Sequence, residues 1–282
     1  MIISRLLGGA GNQLFQYAAG RALADHLGCD LALDSRYIES SEDRGNCFAH
    51  FADARIAQAP TLPPAKHESF LRYGLWRKFG KNPKFCREGE LAFNPQFFDL
   101  GDNSYLHGYW QSPRYFGDSA QAIRNDLRFT TPLDAENTAM AEQIKAAKIP
   151  VSVHVRRGDY MASGSFQACT EEYYVAALAA LSEKLGKDLT CFVFSNDPVW
   201  AAENMNLGFE RVIVDLNDET RGHFDMQLMS LCAHHVIANS TFSWWGAWLN
   251  PDKDKLLVAP KNWFSKENLS NPDICPESWI RL

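Results

Sequence analysis

The residues best suited to chemistry are grouped in HVRRGDY, His154 to Tyr160. Two adjacent guanidinium groups, Arg156 and Arg157, keep their charge at any physiological pH and present planar forks that match phosphate oxygens two at a time. Such a pair suits a diphosphate, and it also suits an ion-paired strand end. His154, on the same side of the alternation as Arg156, could bond a base or a phosphate through its ring, or be a satisfied structural histidine. Asp159 adds a carboxylate three residues past Arg156, able either to take a proton or to brace the arginines. Further on, Asp225 lies near the start of an apolar helical stretch, where a carboxylate favours the helix dipole. The functional alternative is guanine, whose N1–H and N2–H2 donors pair with both oxygens of one carboxylate. In NSTFSWWGAWLN, residues 239–250, the hydroxyls of Ser240, Thr241 and Ser243 stand with free backbone N–H groups at a helix N-terminus. That arrangement binds anions or is ordinarily capped, and the two uses are compatible.

These groups need elements to hold them. Val151, Val153 and Val155 alternate with Ser152, His154 and Arg156, the period of a strand with one polar edge, and Pro150 stops what precedes it. After this strand the sequence alternates EEYYVAALAALSEKLG, LTCFVFS, PVWAAENM, RVIVD, HFDMQLMSLCAH, HVIAN, SWWGAWL and KLLVAP. Short β-rich runs separated by helices predict a mostly parallel, Rossmann-like α/β sheet. Its strands end in Arg156 and Arg157, in Ser195, Asn196 and Asp197, in Asp215, and in Asn239, Ser240 and Thr241. In such sheets ligands collect outside the carboxyl ends of the strands. Trp244, Trp245 and Trp248 recur at helical spacing and are read as core.

The first half opens on a strand at 2–7, a glycine turn GGAGNQ at 8–13 and a helix running to Gly28. The turn departs from GxGxxG, because Leu14 holds the third glycine slot. CDLALD (29–34) is a second strand. Its Asp34 stands where a ribose-binding acid would in a Rossmann unit, a coincidence the broken glycine pattern discounts. Residues 35–103 have poor periodicity and frequent Pro and aromatics, which reads as an irregular insertion with short helices that shapes an acceptor-contacting surface. SYLHGYWQSPRYF (104–116) returns to a strand signal. In it Tyr109 and Trp110 could stack on a sugar ring or pack into the core. Residues 117–128 and 134–147 read as helices. The passage between halves is expected near 149, giving domains 1–149 and 150–282.

At 282 residues with 46% hydrophobic content the chain can bury two cores. With 28 Lys and Arg against 34 Asp and Glu, its net charge of −6 argues against a nucleic-acid partner. Any anionic ligand therefore needs a local basic site. Seven cysteines without a CxxC pair or zinc spacing read as free thiols in a reducing compartment. The start lacks a signal-peptide core and no run reaches the length of a membrane span, so the expected location is the cytoplasm.

Taken together, GGAGNQLFQYAAG, LHGYWQS, HVRRGDY, SNDP and FDMQLMSLCAHHVIANSTFSWWGAWLN resemble the bacterial α-1,2-fucosyltransferases of glycosyltransferase family 11. The matches run from residue 8 to 250, and the pairing of HxRRGDY with NSTFSWWGAWLN is highly specific. More distantly the chain resembles α-1,6- and protein O-fucosyltransferases. The resemblance implies a GT-B-like fold, two Rossmann-like domains facing a central cleft, with the acceptor side in the first domain and GDP-fucose bound by the second. It also implies an inverting transfer of L-fucose from GDP-β-L-fucose to the 2-hydroxyl of a terminal β-galactoside, such as lactose or a glycan precursor.

On this resemblance Arg156 corresponds to the arginine that binds the donor diphosphate, with Arg157 beside it, and His154 and Asp225 to the pair that recognises guanine. The Ser240, Thr241, Phe242 and Ser243 turn corresponds to the phosphate-holding segment. The Gly11 and Asn12 turn corresponds to a segment facing the donor, which Asn196 and Asp197 also line. Tyr109 and Trp110 are the acceptor-side candidates, and Asp159 is the candidate base. The nearest DxD pattern, Asp252-Lys253-Asp254, lies beyond the aromatic helix, so arginine is expected to replace a metal and no cofactor is expected. A role in O-antigen or capsule assembly, with peripheral contact to a lipid-linked acceptor at the inner membrane, follows from the resemblance alone. The competing readings are a non-catalytic carbohydrate-binding protein and an inverting transferase of another GDP-sugar, such as GDP-mannose.

Overall fold

A computed structural model describes residues 1–40, 45–51, 54–157, 168–265 and 269–282. The chain forms two compact units, the first Met1–Thr130 with Asn271–Ile274, the second Thr131–Ser270 with Cys275–Leu282. The division at Thr130 precedes the 149 expected from sequence. The reason is the helix Ala135–Ala146 (α5), whose Ala141 and Ile144 pack on the second unit's sheet and so belong to that unit.

In the first unit, β1 (Ile2–Arg5), β2 (Leu31–Asp34), β3 (Lys84–Arg87) and β4 (Ser104–His107) form a parallel sheet in the order β2-β1-β4-β3. Strand alternation gives β1 two different faces. On one, Ser4 meets α1 (Ala10–Leu27) so closely that a Cβ on Gly20 would lie 3.2 Å from the Ser4 Cβ and 2.9 Å from a Leu31 methyl. On the other, Ile3, Ala32 and Tyr105 pack with Trp76 and Phe85. Helix α1 ends at Gly28, whose φ of 62° is left-handed and suits glycine. The expected glycine turn is shorter than its six residues: α1 starts at Ala10, so Gly11 and Asn12 already lie in its first turn.

The region 35–103 holds the expected short helices, α2 (Arg36–Glu39) and α3 (Phe70–Phe79), but also β3, a full member of the sheet. Helix α4 (Ala120–Asp126) closes the unit. Asp34 is structural: its carboxylate is held by Arg36 at 2.8 Å and by the Tyr105 hydroxyl at 2.7 Å.

The second unit carries β5 (Ile149–Val155), β6 (Leu189–Ser195), β7 (Glu210–Val214), β8 (His234–Val236), β9 (Leu257–Ala259) and β10 (Ile280–Arg281), all parallel, in the order β10-β9-β8-β5-β6-β7. Counted from β5 this is 3-2-1-4-5-6, the doubly wound nucleotide-binding order. Helices cover both faces. Val151, Val153 and Val155 pack with Tyr174, Ala177, Leu178 and Leu181 of α6 (Glu171–Leu185) and Ala201 of α7 (Pro198–Asn204). Each fully buried valine contributes about 1.5–3 kcal/mol. On the other face Phe192 and Phe194 meet α5 and Leu228 and Met229 of α8 (Gly222–Leu231).

The side of β5 bearing Ser152 and His154 is therefore buried, not the polar edge that the alternation suggests. Ser152 Oγ bonds the ring of His235 at 2.8 Å, and Asn250 bonds the other nitrogen of that ring at 2.9 Å. The tryptophans of α9 (Thr241–Leu249) are core as expected, with Trp244 and Trp245 fully buried. All seven cysteines are free. Among the described residues, no helix is long and apolar enough to cross a membrane.

Candidate active site

The order of the second sheet fixes where a ligand fits. The chain winds from β5 through β6 to β7, then returns to β8 on the opposite side of β5. The carboxyl ends of β5 and β8 thus flank the switch point, the position at which such sheets bind ligands. Out of β5 come Arg156 and Arg157. Out of β8 come Asn239 and Ser240, leading into α9.

Arg157 is held on several sides. Its backbone N–H donates to Asn196 Oδ1 at 2.9 Å, and its guanidinium lies 3.6 Å from the centre of the Trp200 ring. Its Nε is 3.9 Å from Asp197 Oδ2. Asp197 also caps α7 by accepting from the Trp200 N–H at 3.1 Å. Asn196 and Asp197, expected to line the donor site, thus position Arg157 and its stacking platform. Arg156 is half-buried and close enough to His154 for its charge to act on that ring.

His154 is 5% exposed, and its Nδ1 has no hydrogen-bond partner. Burial first, and the Arg156 charge second, push its pKa down to about 3, so the ring is neutral at pH 7. Its centre is 5.8 Å from that of Phe242, which follows Thr241 at the start of α9. The strand–turn–helix connection thereby brings His154 and the Ser240–Ser243 turn together. Ser240 makes no side-chain cap to the α9 amides, and Ser243 Oγ donates to Ser240 O at 3.2 Å. Ser240 thus does not cap α9 through its side chain, and a helix N-terminus of this kind suits an anion.

Asp225 sits in the first turn of α8, on the sheet face that His154 shares. Its Oδ1 accepts from Asn217 Nδ2 at 2.7 Å. Burial raises its pKa to about 7, with Asp215 adding to the rise and Asn217 opposing it. Asn217 is itself fixed by Asn137 at 2.9 Å. Asn217 and Trp200 escaped the sequence reading, since their partners Asp225 and Arg157 are met only in three dimensions. The polar tip after β7 was the one signal for Asn217. Asp159 lies outside the described residues.

The first unit has a switch point of its own, between β1 and β4. There Asn12 of α1 accepts from Gln111 Nε2 at 2.9 Å, one residue past Trp110. Gly11 lies beside it, buried in the same turn. Trp110 has a left-handed φ of 55°, which costs a non-glycine residue about 1–2 kcal/mol. Glu88 secures that conformation, accepting from the N–H groups of Tyr109 at 2.6 Å and Trp110 at 2.9 Å. The Trp110 ring is buried against Phe97 and Tyr115, with its indole Nε1 unpartnered, whereas Tyr109 is exposed. A groove of about 640 Å³, lined by Glu88, Phe93, Phe97, Trp110 and Tyr115 among others, opens beside them. Among the described residues no three His, Cys, Asp or Glu side chains gather as a metal site.

This architecture and sequence have known counterparts. The α-1,2-colitosyltransferase of Escherichia coli is 32% identical, with 100% of this chain and 99% of that protein aligned. The O-antigen biosynthesis glycosyltransferase WbnK of Escherichia coli is 30% identical over 99% of both chains. Among solved structures, fucosyltransferase NodZ from Bradyrhizobium superposes with a TM-score of 0.52 at 16% identity, covering 89% of this chain and 93% of that one. A mutant of Arabidopsis thaliana FUT1 in complex with GDP does so with a TM-score of 0.54 at 13% identity, covering 99% and 75%. At such identities the structural likeness speaks for a GT-B-like fold. The model of glycosyl transferase family 11 matches residues 92–282. With that match and full-length relatives at 30–32% identity, the chain belongs to glycosyltransferase family 11 and is a glycosyltransferase.

Proposed function

We propose that this enzyme moves L-fucose from GDP-β-L-fucose to the 2-hydroxyl of a terminal β-galactoside, forming an α-1,2 linkage with inversion. The observation that carries the reading is the convergence of Arg156, the braced Arg157 and the α9 N-terminus at the switch point of the second sheet. A diphosphate there meets two cations and a helix dipole. As the C1–O bond to the β-phosphate breaks, the sugar becomes oxocarbenium-like and charge builds on the departing GDP. Arg156 offsets that charge, an effect of about 3 kcal/mol per donor group in comparable sites. The galactose hydroxyl attacks the opposite face and gives its proton to a base, for which Asp159 is the candidate, as the new C1–O bond forms and GDP departs. His154, neutral and with an unpartnered nitrogen, and Asp225 take the guanine edge. Ser240, Thr241, Phe242 and Ser243 hold the phosphates. The reading needs no metal and no cofactor.

The acceptor belongs to the first unit in this proposal. The strained Trp110 backbone, secured by Glu88 beside a groove with aromatic walls, supports a saccharide site in which exposed Tyr109 stacks on a ring. A second donor also has support. The relative that transfers colitose makes the same α-1,2 linkage, and colitose is fucose lacking its 3-hydroxyl, so GDP-colitose is the alternative. Incubating the enzyme with lactose and GDP-fucose, GDP-colitose or GDP-mannose, with NMR assignment of the product, tests the reading. A 2-O-fucosyl product at the highest kcat/KM supports it. Preferential turnover of another donor, or glycan binding without GDP release, overturns it.

A further inference from the structure

Helix α3 is built the wrong way round for a globular surface. Its Tyr73 and Trp76 face inward, Trp76 donating from Nε1 to Pro83 O at 3.0 Å and packing edge-on against Phe85 and Tyr105. The opposite side carries Leu71, Leu75 and Phe79, which at about 100° per residue share one face. They are 72%, 53% and 66% exposed, and Phe70 at the helix start is 73% exposed. Among the other described residues, large exposed apolar side chains occur singly, which is ordinary. Four within ten residues make a continuous patch, the kind that marks an interaction surface.

The charge around the patch selects its partner. Residues 66–87 carry seven Lys and Arg and a single acid, Glu68, in a chain whose net charge is −6. All seven cations are exposed, whereas Glu68 is engaged by Arg36 at 3.1 Å. A second copy of this chain on the patch would set one dense positive field against another. A nucleic acid would leave the apolar face unmatched. Apolar side chains projecting from a ring of cations match a bilayer with anionic headgroups, where the rings and methyls enter the acyl boundary and the cations stay among the phosphates.

We infer that α3 and its flanking lysines and arginines dock the first unit on an anionic lipid surface. Docking is independent of the donor proposed above. The test is co-sedimentation of the full-length protein with vesicles of phosphatidylglycerol and phosphatidylethanolamine against vesicles of phosphatidylcholine, at 50 and 500 mM NaCl. The wild type is expected to bind the anionic vesicles at least tenfold more tightly, with salt reducing that preference. Leu71→Ser/Leu75→Ser/Phe79→Ser should lose binding at least tenfold. Lys78→Glu/Lys81→Glu/Lys84→Glu should lose only the preference for anionic lipid. Both variants alter exposed side chains and should keep the wild-type melting temperature, which confirms that they fold. Equal wild-type binding to both vesicles, or unimpaired binding by the apolar triple variant, overturns the inference. So does a lipid-free dimer in sedimentation velocity that this variant dissolves, since the face would then join two copies.

Discussion

Replacing His154 by Leu should make the protein more stable and a weaker binder of GDP. The ring is 5% exposed and its Nδ1 is buried without a partner. An unsatisfied buried polar group costs about 1–3 kcal/mol. Leucine removes that cost and keeps an apolar contact with Phe242, whose ring centre is 5.8 Å away. Imperfect filling of the vacated space gives back up to about 1.5 kcal/mol. The balance is a gain of about 1 kcal/mol, a rise of roughly 2–4 °C in melting temperature for a protein of this size. Because burial holds the folded pKa near 3, below the ordinary value near 6.5, the wild type loses stability as the pH falls through 6.5, so the gain should be steady at pH 7–8 and larger at pH 6. If the nitrogen is reserved for the guanine edge, the same substitution removes one neutral hydrogen bond to the ligand and weakens GDP binding roughly tenfold. Calorimetric melting and isothermal titration with GDP read both effects on one sample. A destabilised His154→Leu protein with unchanged GDP affinity would show instead that the nitrogen serves the fold and not the ligand.

Other perturbations separate the remaining parts of the site. Asp225, with its folded pKa raised to about 7 from an ordinary value near 4, holds its proton more tightly folded than unfolded. Its favourable contribution to stability is complete below about pH 4 and is lost as the pH climbs through 7. Asp225→Asn should therefore gain stability on the wild type between pH 4 and 8 in thermal melts, and should abolish a rise in GDP affinity through pH 7. Trp200→Ala removes the ring 3.6 Å from the Arg157 guanidinium. Loss of about 1 kcal/mol of stacking should raise the donor KM several-fold while changing kcat little. Asn250→Ala leaves the fully buried His235 ring short of a partner. It should cost about 1–3 kcal/mol in denaturant unfolding without altering GDP affinity.

Much of the second unit can be read in the sequence because its strands are continuous apolar runs ending in polar residues, as buried parallel strands must be. Of the tips named from those runs, those of β5 and β8 flank the switch point. What escaped was short or relational. Strand β3 has four residues after a Gly-Lys-Asn-Pro stretch, and β10 has two; neither is long enough to show a period. Glycine at 8, 9 and 11 suggests a long turn, yet α1 tolerates Gly11 and Asn12 in its first turn, where few intrahelical bonds are at stake. Tyr109 and Trp110 look alike as stacking rings. Only the left-handed backbone at Trp110, fixed by Glu88 just past β3, buries one and exposes the other. Likewise Trp200 under Arg157 and Asn217 against Asp225 are partners separated in sequence, so composition and spacing carry no trace of them.

Arg156 is the group proposed to stabilise charge on the departing diphosphate. Steady-state GDP release from GDP-fucose and lactose, compared for wild type, Arg156→Lys and Arg156→Ala of confirmed melting temperature, is the most direct test. A loss of about 10²–10³ in kcat is expected for Arg156→Ala, partly restored by lysine, which keeps the charge and loses the fork. An Arg156→Ala enzyme that is folded and turns over within a few-fold of wild type would overturn that role.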